Sequence, residues 1–313
     1  MPFTDKPQVF GASIRSLTLG KEGKSISLGG GNVYPLYTFD SPVPNAPKVG
    51  IEVSDLGYDA TLPGLAALYE GAETVVERAK RAAAVEGADF VALYLESADP
   101  NGENASAEAC AATAKAVCEA IDKPLVVMGC KNMEKDTDLF VKVADALRGE
   151  NALFLSAKEE DYKTIAAATV LANGHNVAGE SAVDINLAKQ LNVLMTQMGV
   201  SADKIVMNCG TAAAGYGFEY LASTLDRVKG AALTQNDTAL QMPIITVVSG
   251  DAWGVKEAVL EESDMPAWGS REERGIQFEI VTATAEIASG SDAVILRHPA
   301  SVKTVSELVS ALM

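Results

Sequence analysis

The chain has 313 residues, of which 48% are hydrophobic and 21% charged, the balance of a soluble globular protein with room for one large core or two modest ones. Its net charge, 25 − 42 = −17, repels phosphate backbones and argues against a nucleic-acid partner. The apolar runs are strand-length, short of the roughly 20 residues a membrane span needs, and no basic segment leads into an apolar one at the start, so a cytoplasmic protein is expected.

In chain order, residues 1–46 stand apart as an N-terminal extension. "SIRSLTLGKEGKSISLGGG" reads as a β-hairpin, two alternating strands around Gly20-Lys21-Glu22-Gly23. A proline-rich link from Pro42 to Pro47 leads to the second unit, 47–313. There one pattern repeats. "KVGIEV" precedes a helix over 73–87, "FVALYLE" one over 106–121, "PLVVMGC" one over 135–149, and "ALFLSA" one over 162–174. "NVAGESA" precedes a helix over 184–199, "KIVMNCG" one over 218–233, "PIITVVSG" one over 272–290, and "AVILRH" one over 301–313. The helices carry 3.6-residue spacing, as in Leu139, Val143, Ala146, Leu147, or Ile276, Ile280, Ala283, Ile287. Several close on glycine: Gly87, Gly149, Gly174, Gly199 and Gly290. Eight strands buried on both faces, each followed by a helix, predict an α/β fold, a (β/α)8 TIM barrel with an N-terminal β-hairpin extension. A doubly wound sheet is the alternative.

Links from helix to strand are short ("GAD", "DK", "GEN", "GHN"), whereas strand-to-helix links include the long stretches 54–72 and 251–271. Barrel sites lie at the carboxyl ends of the strands, where the long loops are. Strand ends aim Glu52, Asp55, Glu96, Cys130, Ser156, Glu180, Ser181, Asn208, Ser249, Asp251, Arg297 and His298 at that mouth. Among them, a Schiff-base lysine finds only Lys131 as a candidate, just outside its strand, where a solvated first-turn lysine is the plainer reading. Metal-dependent hydrolysis would want several histidines, and only His298 qualifies. Glu52, Glu96 and Glu180 could act as acid or base, or could be structural, Glu180 beside a cap built from Ser181 or Asp184. "GGG" at 29–31 follows a hairpin strand and precedes no helix, so it lacks the context of a phosphate cradle.

The four cysteines, Cys110, Cys118, Cys130 and Cys209, have no C-x-x-C spacing. Cys110 and Cys118 share a helix about 80° apart around its axis, which neither bridges nor chelates. All four read as reduced thiols, with no metal or iron–sulfur site in this chain.

One loop differs from the rest. "CGTAAAGYG" follows a buried strand, precedes a helix, and contains almost nothing that titrates. Small residues at such a place let a ligand approach backbone N–H groups, or let the loop pack tightly against its neighbours. Asn208, Gly210, Thr211, Ala213, Ala214, Gly215 and Tyr216 are the candidate cofactor-binding residues, and no residue is assigned a catalytic role. On this reading, added bulk should matter more than lost polarity. Trp253 and Trp268, in the other long loop, are candidate interface anchors.

From "MPFTDKPQVFGASIRSLTLG" through "IVMNCGTAAAGYGFEYLASTLDRVKGAALTQND" to "AVILRHPASVKTVSELV", the whole chain resembles the small, delta-type subunit of the corrinoid iron–sulfur protein of the reductive acetyl-CoA pathway. The resemblance implies a heterodimer whose larger subunit holds a 4Fe–4S cluster and the tail of cobalamin, with the small subunit's barrel covering the corrin. It implies transfer of a methyl group from methyltetrahydrofolate, through a separate methyltransferase, and on to acetyl-CoA synthase. Cobalamin (a corrinoid) would be shared with the partner subunit. No D-x-H-x-x-G occurs, so the chain offers no histidine of the kind that ligates cobalt in methionine-synthase-like modules. A stand-alone pterin-binding methyltransferase barrel and an aldolase-type lyase are the competing readings.

Overall fold

The computed structural model describes residues 6–313, which form one closed parallel barrel ringed by helices. A hairpin, β1 (Ser16–Lys21) with β2 (Lys24–Gly29), comes first. The barrel strands are β3 (Lys48–Ser54), β4 (Phe90–Tyr94), β5 (Leu125–Met128), β6 (Leu153–Ala157), β7 (Asn176–Glu180), β8 (Ile205–Asn208), β9 (Ile245–Val247) and β10 (Ala293–Leu296). They run in the order β8-β7-β6-β5-β4-β3-β10-β9, all parallel. A parallel bridge between Met207 and Ile244 joins the two ends, with Met207 N donating to Pro243 O at 2.8 Å, and closes the barrel. The predicted TIM barrel is therefore the observed one.

Period-two alternation sorts the strand residues. Phe90, Ala92, Val126, Met128, Leu153, Leu155, Ala178, Val206, Ile245, Ala293 and Ile295 fill the interior. Val49, Ile51, Val91, Leu93, Val127, Phe154, Ile205 and Val294 instead join the core beneath the helices. Filling is by small against large: a Cβ at Gly50 would overlap the Phe90 ring.

The hairpin completes this interior. Leu17, Leu19 and Leu28 belong to the same buried cluster, and none is more than 1% exposed. Gly20 N donates to Asn151 O at 3.0 Å, Arg15 N to Gln241 O at 2.7 Å, and Lys24 Nζ to Cys118 O at 2.8 Å. All these acceptors lie in segments leading into barrel strands, so the hairpin plugs the end opposite the mouth. Its turn is the two-residue Glu22-Gly23, with Gly23 at φ +87°.

The helices are α1 (Pro63–Tyr69), α2 (Val75–Ala83), α3 (Ala107–Ala120), α4 (Met133–Ala146), α5 (Tyr162–Ala166), α6 (Ile185–Gln197), α7 (Phe218–Thr234), α8 (Val248–Ala252), α9 (Lys256–Val259), α10 (Arg271–Ser289) and α11 (Pro299–Leu312). Side-chain caps set the starts of α2, α3, α4, α6 and α10: Thr74 with Glu77 in a capping box, and Ser106, Asn132, Asp184 and Ser270. No helix among the described residues is long and apolar enough to cross a membrane.

Three differences from expectation matter for the site. The strand expected through "PIITVVSG" stops at Val247, because Val248 and Ala252 bury one face of α8 and Ser249 turns back to the barrel. The two long mouth loops are not irregular throughout, since α1 lies in one and α8 and α9 in the other. Finally, the face of α10 that meets the barrel is not centred on Ile276 and Ile280, which are half-buried, but on Gly275, Glu279, Thr282, Ala283 and Glu286.

Leu19→Ala should lower the free energy of unfolding in urea by about 2–5 kcal/mol, the range for truncating a fully buried leucine. A loss below about 1 kcal/mol would show that the hairpin does not complete the barrel core.

Candidate functional site

The mouth is built from α10 outward. Its buried stripe at positions 275, 279, 282 and 286 follows helical spacing, and three of the four side chains are polar. Glu279 is fully buried and accepts from Arg297 N at 2.5 Å and His298 N at 3.1 Å. Thr282 Oγ1 accepts from Ala214 N at 3.0 Å. Glu286 accepts from Thr211 Oγ1 at 2.8 Å. Gly275 gives the Trp253 ring a flat bed, where a Cβ would overlap it. One turn earlier, Glu272 Oε1 accepts from Gly64 N at 2.6 Å and sits 3.1 Å from His298 Nε2. One helix face thus fixes three mouth segments: the β3 loop, the β8 loop, and the residues after β10.

Both buried carboxylates are shifted upward. Burial raises Glu279 despite its two amide donors, and burial pushes Glu286 from 4.5 to about 7. Glu286 Oε2 has no partner among the described residues.

Two cavities of about 380 Å³ each share the mouth. The first lies over β5 to β9 and includes Lys131, Ser156, Lys158, Glu180, Asn208, Gly210, Thr211 and Asp251 in its wall. Asn208 is tied at both ends, Nδ2 donating to Ser156 Oγ at 2.9 Å and Oδ1 accepting from Gly210 N at 3.1 Å. Glu180 pairs with Lys158 at 3.5 Å. Burial raises the Asp251 carboxyl, partly offset by Lys131. Two consecutive residues on this rim, Ala182 (φ 42°) and Val183 (φ 67°), are held left-handed by Val183 N to Cys209 O at 2.7 Å and Asp184 N to Ser181 O at 3.0 Å. Such backbone is rare for a β-branched residue, and it presses Val183 against Gly210.

The second cavity lies over β10, β3 and β4 and includes Glu52, Tyr58, Tyr69, Tyr94, Glu96, Trp253 and Arg297 in its wall. Lys131 stands between the two, its ammonium 5.9 Å from the Tyr94 ring centroid.

The candidate cofactor residues divide. Asn208, Gly210 and Thr211 line the first cavity, while Thr211, Ala212, Ala213 and Tyr216 border a neighbouring depression with Val255 and Lys256. Gly215 is open, with nothing within 4 Å of where a Cβ would stand, and its φ is +83°. Ala214 is held by its N–H to Thr282. Tyr216 is half-exposed and its hydroxyl donates to Glu257 at 2.5 Å. Ala213 packs its methyl against Val255 and Ala258, so a large side chain there would disrupt folding before it filled a ligand space. The Thr211 hydroxyl donates to a buried carboxyl, a contact that spacing in the sequence does not reveal.

Several side chains expected at the mouth are turned away. His298 is buried, stacked at 5.9 Å on Trp253, with Nδ1 accepting from Ala300 N. Burial lowers its pKa, and Glu272 opposes that shift. Cys130 is buried, and Asp55 is occupied by Ser97 N and Oγ at 2.9 and 2.5 Å. Trp253 is core, only 7% exposed, while Trp268 remains 43% exposed beside Phe278 and Arg274. Lys131 is exposed rather than set in apolar surroundings, which does not suit a Schiff-base lysine. The α10 stripe escaped notice. Its signal was legible as Glu279, Thr282 and Glu286 interrupting the face that should have been apolar.

Glu286 predicts a pH signature. The folded protein holds a proton on it between about pH 4.5 and 7 that the unfolded chain releases, so this contribution falls as pH rises through that window. Glu286→Gln, which mimics the protonated acid, should match wild type near pH 4.5 and exceed its stability by about 3 kcal/mol above pH 7. Parallel stability curves from pH 4.5 to 8 would show that Glu286 stays ionised.

The sequence matches the family described as CO dehydrogenase/acetyl-CoA synthase delta subunit over residues 16–307. Acetyl-CoA decarbonylase/synthase complex subunit delta 2 of Methanosarcina acetivorans is 35% identical over 303 residues, covering 94% of this chain and 67% of that protein. Subunit delta of Archaeoglobus fulgidus is 34% identical over 304 residues, covering 94% of this chain and 65% of that protein. The chain therefore spans about two thirds of the length of these relatives. Among solved structures, 7,8-dihydropteroate synthase from Vibrio fischeri superposes with a TM-score of 0.54 at 12% identity, covering 95% of this chain and 97% of that one. Dihydropteroate synthase from Xanthomonas albilineans with 4-aminobenzoic acid does so at 0.54 and 13%, covering 95% and 98%. Identities this low establish a shared TIM-barrel fold and no more. The match along nearly the whole chain is of another order, and by it the protein belongs to the family of CO dehydrogenase/acetyl-CoA synthase delta subunits.

Proposed function

We propose that this chain is a corrinoid-binding methyl-carrier subunit whose barrel mouth covers a corrin held jointly with a larger partner subunit. The complex would accept a methyl group from methyltetrahydrofolate through a separate methyltransferase and donate it to acetyl-CoA synthase. When bound, the corrinoid supplies the cobalt centre that carries the methyl group. The observation that carries this reading is the bare β8 loop, pinned open by α10 beside a broad cavity.

The residues present suit such a ligand. A corrin is large and flat, and its rim bears neutral amide arms. The first cavity offers a side-chain amide (Asn208), hydroxyls (Ser156, Thr211) and the uncovered backbone of Gly210, while Gly215 leaves open space beside it. Neutral amide, hydroxyl and backbone groups of this kind would position the ring by its rim. Candidate contacts are Asn208, Gly210, Thr211, Gly215 and Tyr216. Ala213 and Ala214 support the loop from behind.

A stand-alone pterin-binding methyltransferase is the second reading, suggested by strand-end Asn208 and Glu96 on a barrel like those of dihydropteroate synthases. Asn208, bonded once through Nδ2 to Ser156 and once through Oδ1 to Gly210, keeps one N–H and one lone pair for either ligand, so it does not separate the two readings. Saturable binding of methyltetrahydrofolate by the isolated chain would favour this reading over the first.

Gly215→Trp should lower the corrin absorbance of the copurified heterodimer by about tenfold, because the indole would occupy the open ledge. Gly215→Asn controls for backbone strain, since Asn tolerates a left-handed φ, and should leave corrin content within about twofold. Full corrin content in a well-folded Gly215→Trp heterodimer would remove the β8 loop from the site.

A further inference from the structure

The half of the mouth over β10, β3 and β4 has no part in the reading above, yet it is constructed like a binding site. At its floor Glu52, 5% exposed, is saturated. Its Oε1 accepts from Arg297 Nε at 2.9 Å and lies 2.8 Å from Nη2, and its Oε2 accepts from Ser249 Oγ at 2.5 Å. The third guanidinium nitrogen, Arg297 Nη1, has no partner among the described residues. Glu96 is in the complementary condition: Oε2 accepts from Ser54 Oγ at 2.7 Å, and Oε1 has no partner among the described residues. Both Arg297 and Glu96 line the cavity, and each shapes the other's field. The hydroxyls of Tyr58 and Tyr94, also in the wall, have no partner among the described residues. Burial pushes Tyr94 up to about 12, which keeps it a donor at neutral pH.

Charge decides what this cavity takes. The Glu52–Arg297 pair cancels, and Arg271 is held by Asp59 at 2.9 Å and Glu261 at 3.8 Å. A carboxylate could pair with Arg297 but would lie against Glu96 and Glu52. An ammonium group could pair with Glu96 but offers no acceptor to Arg297 Nη1. A neutral primary amide carries both the acceptor that Arg297 Nη1 lacks and the donor that Glu96 Oε1 lacks. We propose that this cavity is a primary-carboxamide subsite, in which Arg297 Nη1 donates to the amide oxygen and Glu96 Oε1 accepts from the amide N–H. Resting on the corrin-cover reading, the amide belongs to the arms on a corrin's rim, so the two cavities would hold one ligand at two places.

The test uses the heterodimer freed of its corrinoid, and two pairs of probes. By equilibrium dialysis, dicyanocobinamide, whose arms are amides, should bind about tenfold more tightly than dicyanocobyrinic acid, whose arms are carboxylates. Glu96→Gln should shrink that preference to about twofold. Glu160→Gln, which removes an exposed charge outside both cavities, should leave it unchanged and so corrects for the general repulsion of a chain at −17. In saturation-transfer NMR, propionamide should report contact with wild type, propionate should not, and Glu96→Gln should weaken the propionamide signal. If both corrins bind with a preference that Glu96→Gln does not move, the subsite is overturned while the corrin cover stands. If neither corrin binds but the propionamide contact still depends on Glu96, the subsite stands and the corrin cover falls. Absence of both signals overturns both.

Discussion

The mouth depends on one face of α10, where carboxyl and hydroxyl groups occupy positions that a barrel helix normally gives to leucine or valine. Burying Glu279 and Glu286 is costly, and both resist ionisation in consequence. The return is positional. Each takes its donors from a mouth segment rather than from its own helix: Arg297 N and His298 N for Glu279, Thr211 Oγ1 for Glu286. Thr282 and Glu272 do the same for Ala214 and Gly64. Unpaired, these groups would each cost on the order of 1–3 kcal/mol, so the loops and the helix stabilise one another or fail together.

This arrangement explains why the mouth can be wide and sparsely furnished yet defined in shape. The β8 loop needs neither a ligand nor bulky side chains to hold its course, because α10 supports it from the outside. At the other end of the barrel the hairpin leucines fill the space that the inward residues leave. The barrel is thus packed below and open above. The polar residues between those two layers, Glu52 and Asn208, both point inward from strand ends and are both held by neighbours.

How much of this was legible in the sequence follows from the range of each interaction. The strands and helices were legible because alternation, 3.6-residue spacing and glycine stops are local. The hairpin was legible as an element, but its place was not, since only the three-dimensional packing shows Leu17, Leu19 and Leu28 inside the barrel. Asn208, Gly210 and Thr211 were read correctly as mouth residues from their place after a buried strand. His298 was misplaced because position after a strand does not fix direction: stacking on Trp253 and the contact with Glu272 turn it into the wall, and Trp253, read as an interface anchor from its place in a long loop, is buried beside it. The pairing of Glu52 with Arg297 joins residues 245 positions apart and leaves no trace in either segment.

The position of α10 in the chain has a consequence for how the protein is made. Residues 54–72 and 209–217 leave the ribosome well before residues 271–289, which carry every tether described for them on that helix. The strands of a nascent chain can begin to pair in order, but the two loops lack their tethers to α10 until residues 271–289 have emerged. A chain stopped short of residue 271 would display an unfinished rim with its amides unclaimed, a surface suited to chaperone capture. The mouth therefore takes its final shape only after a helix made later than its loops has emerged, and any contact that reads that shape must wait for it.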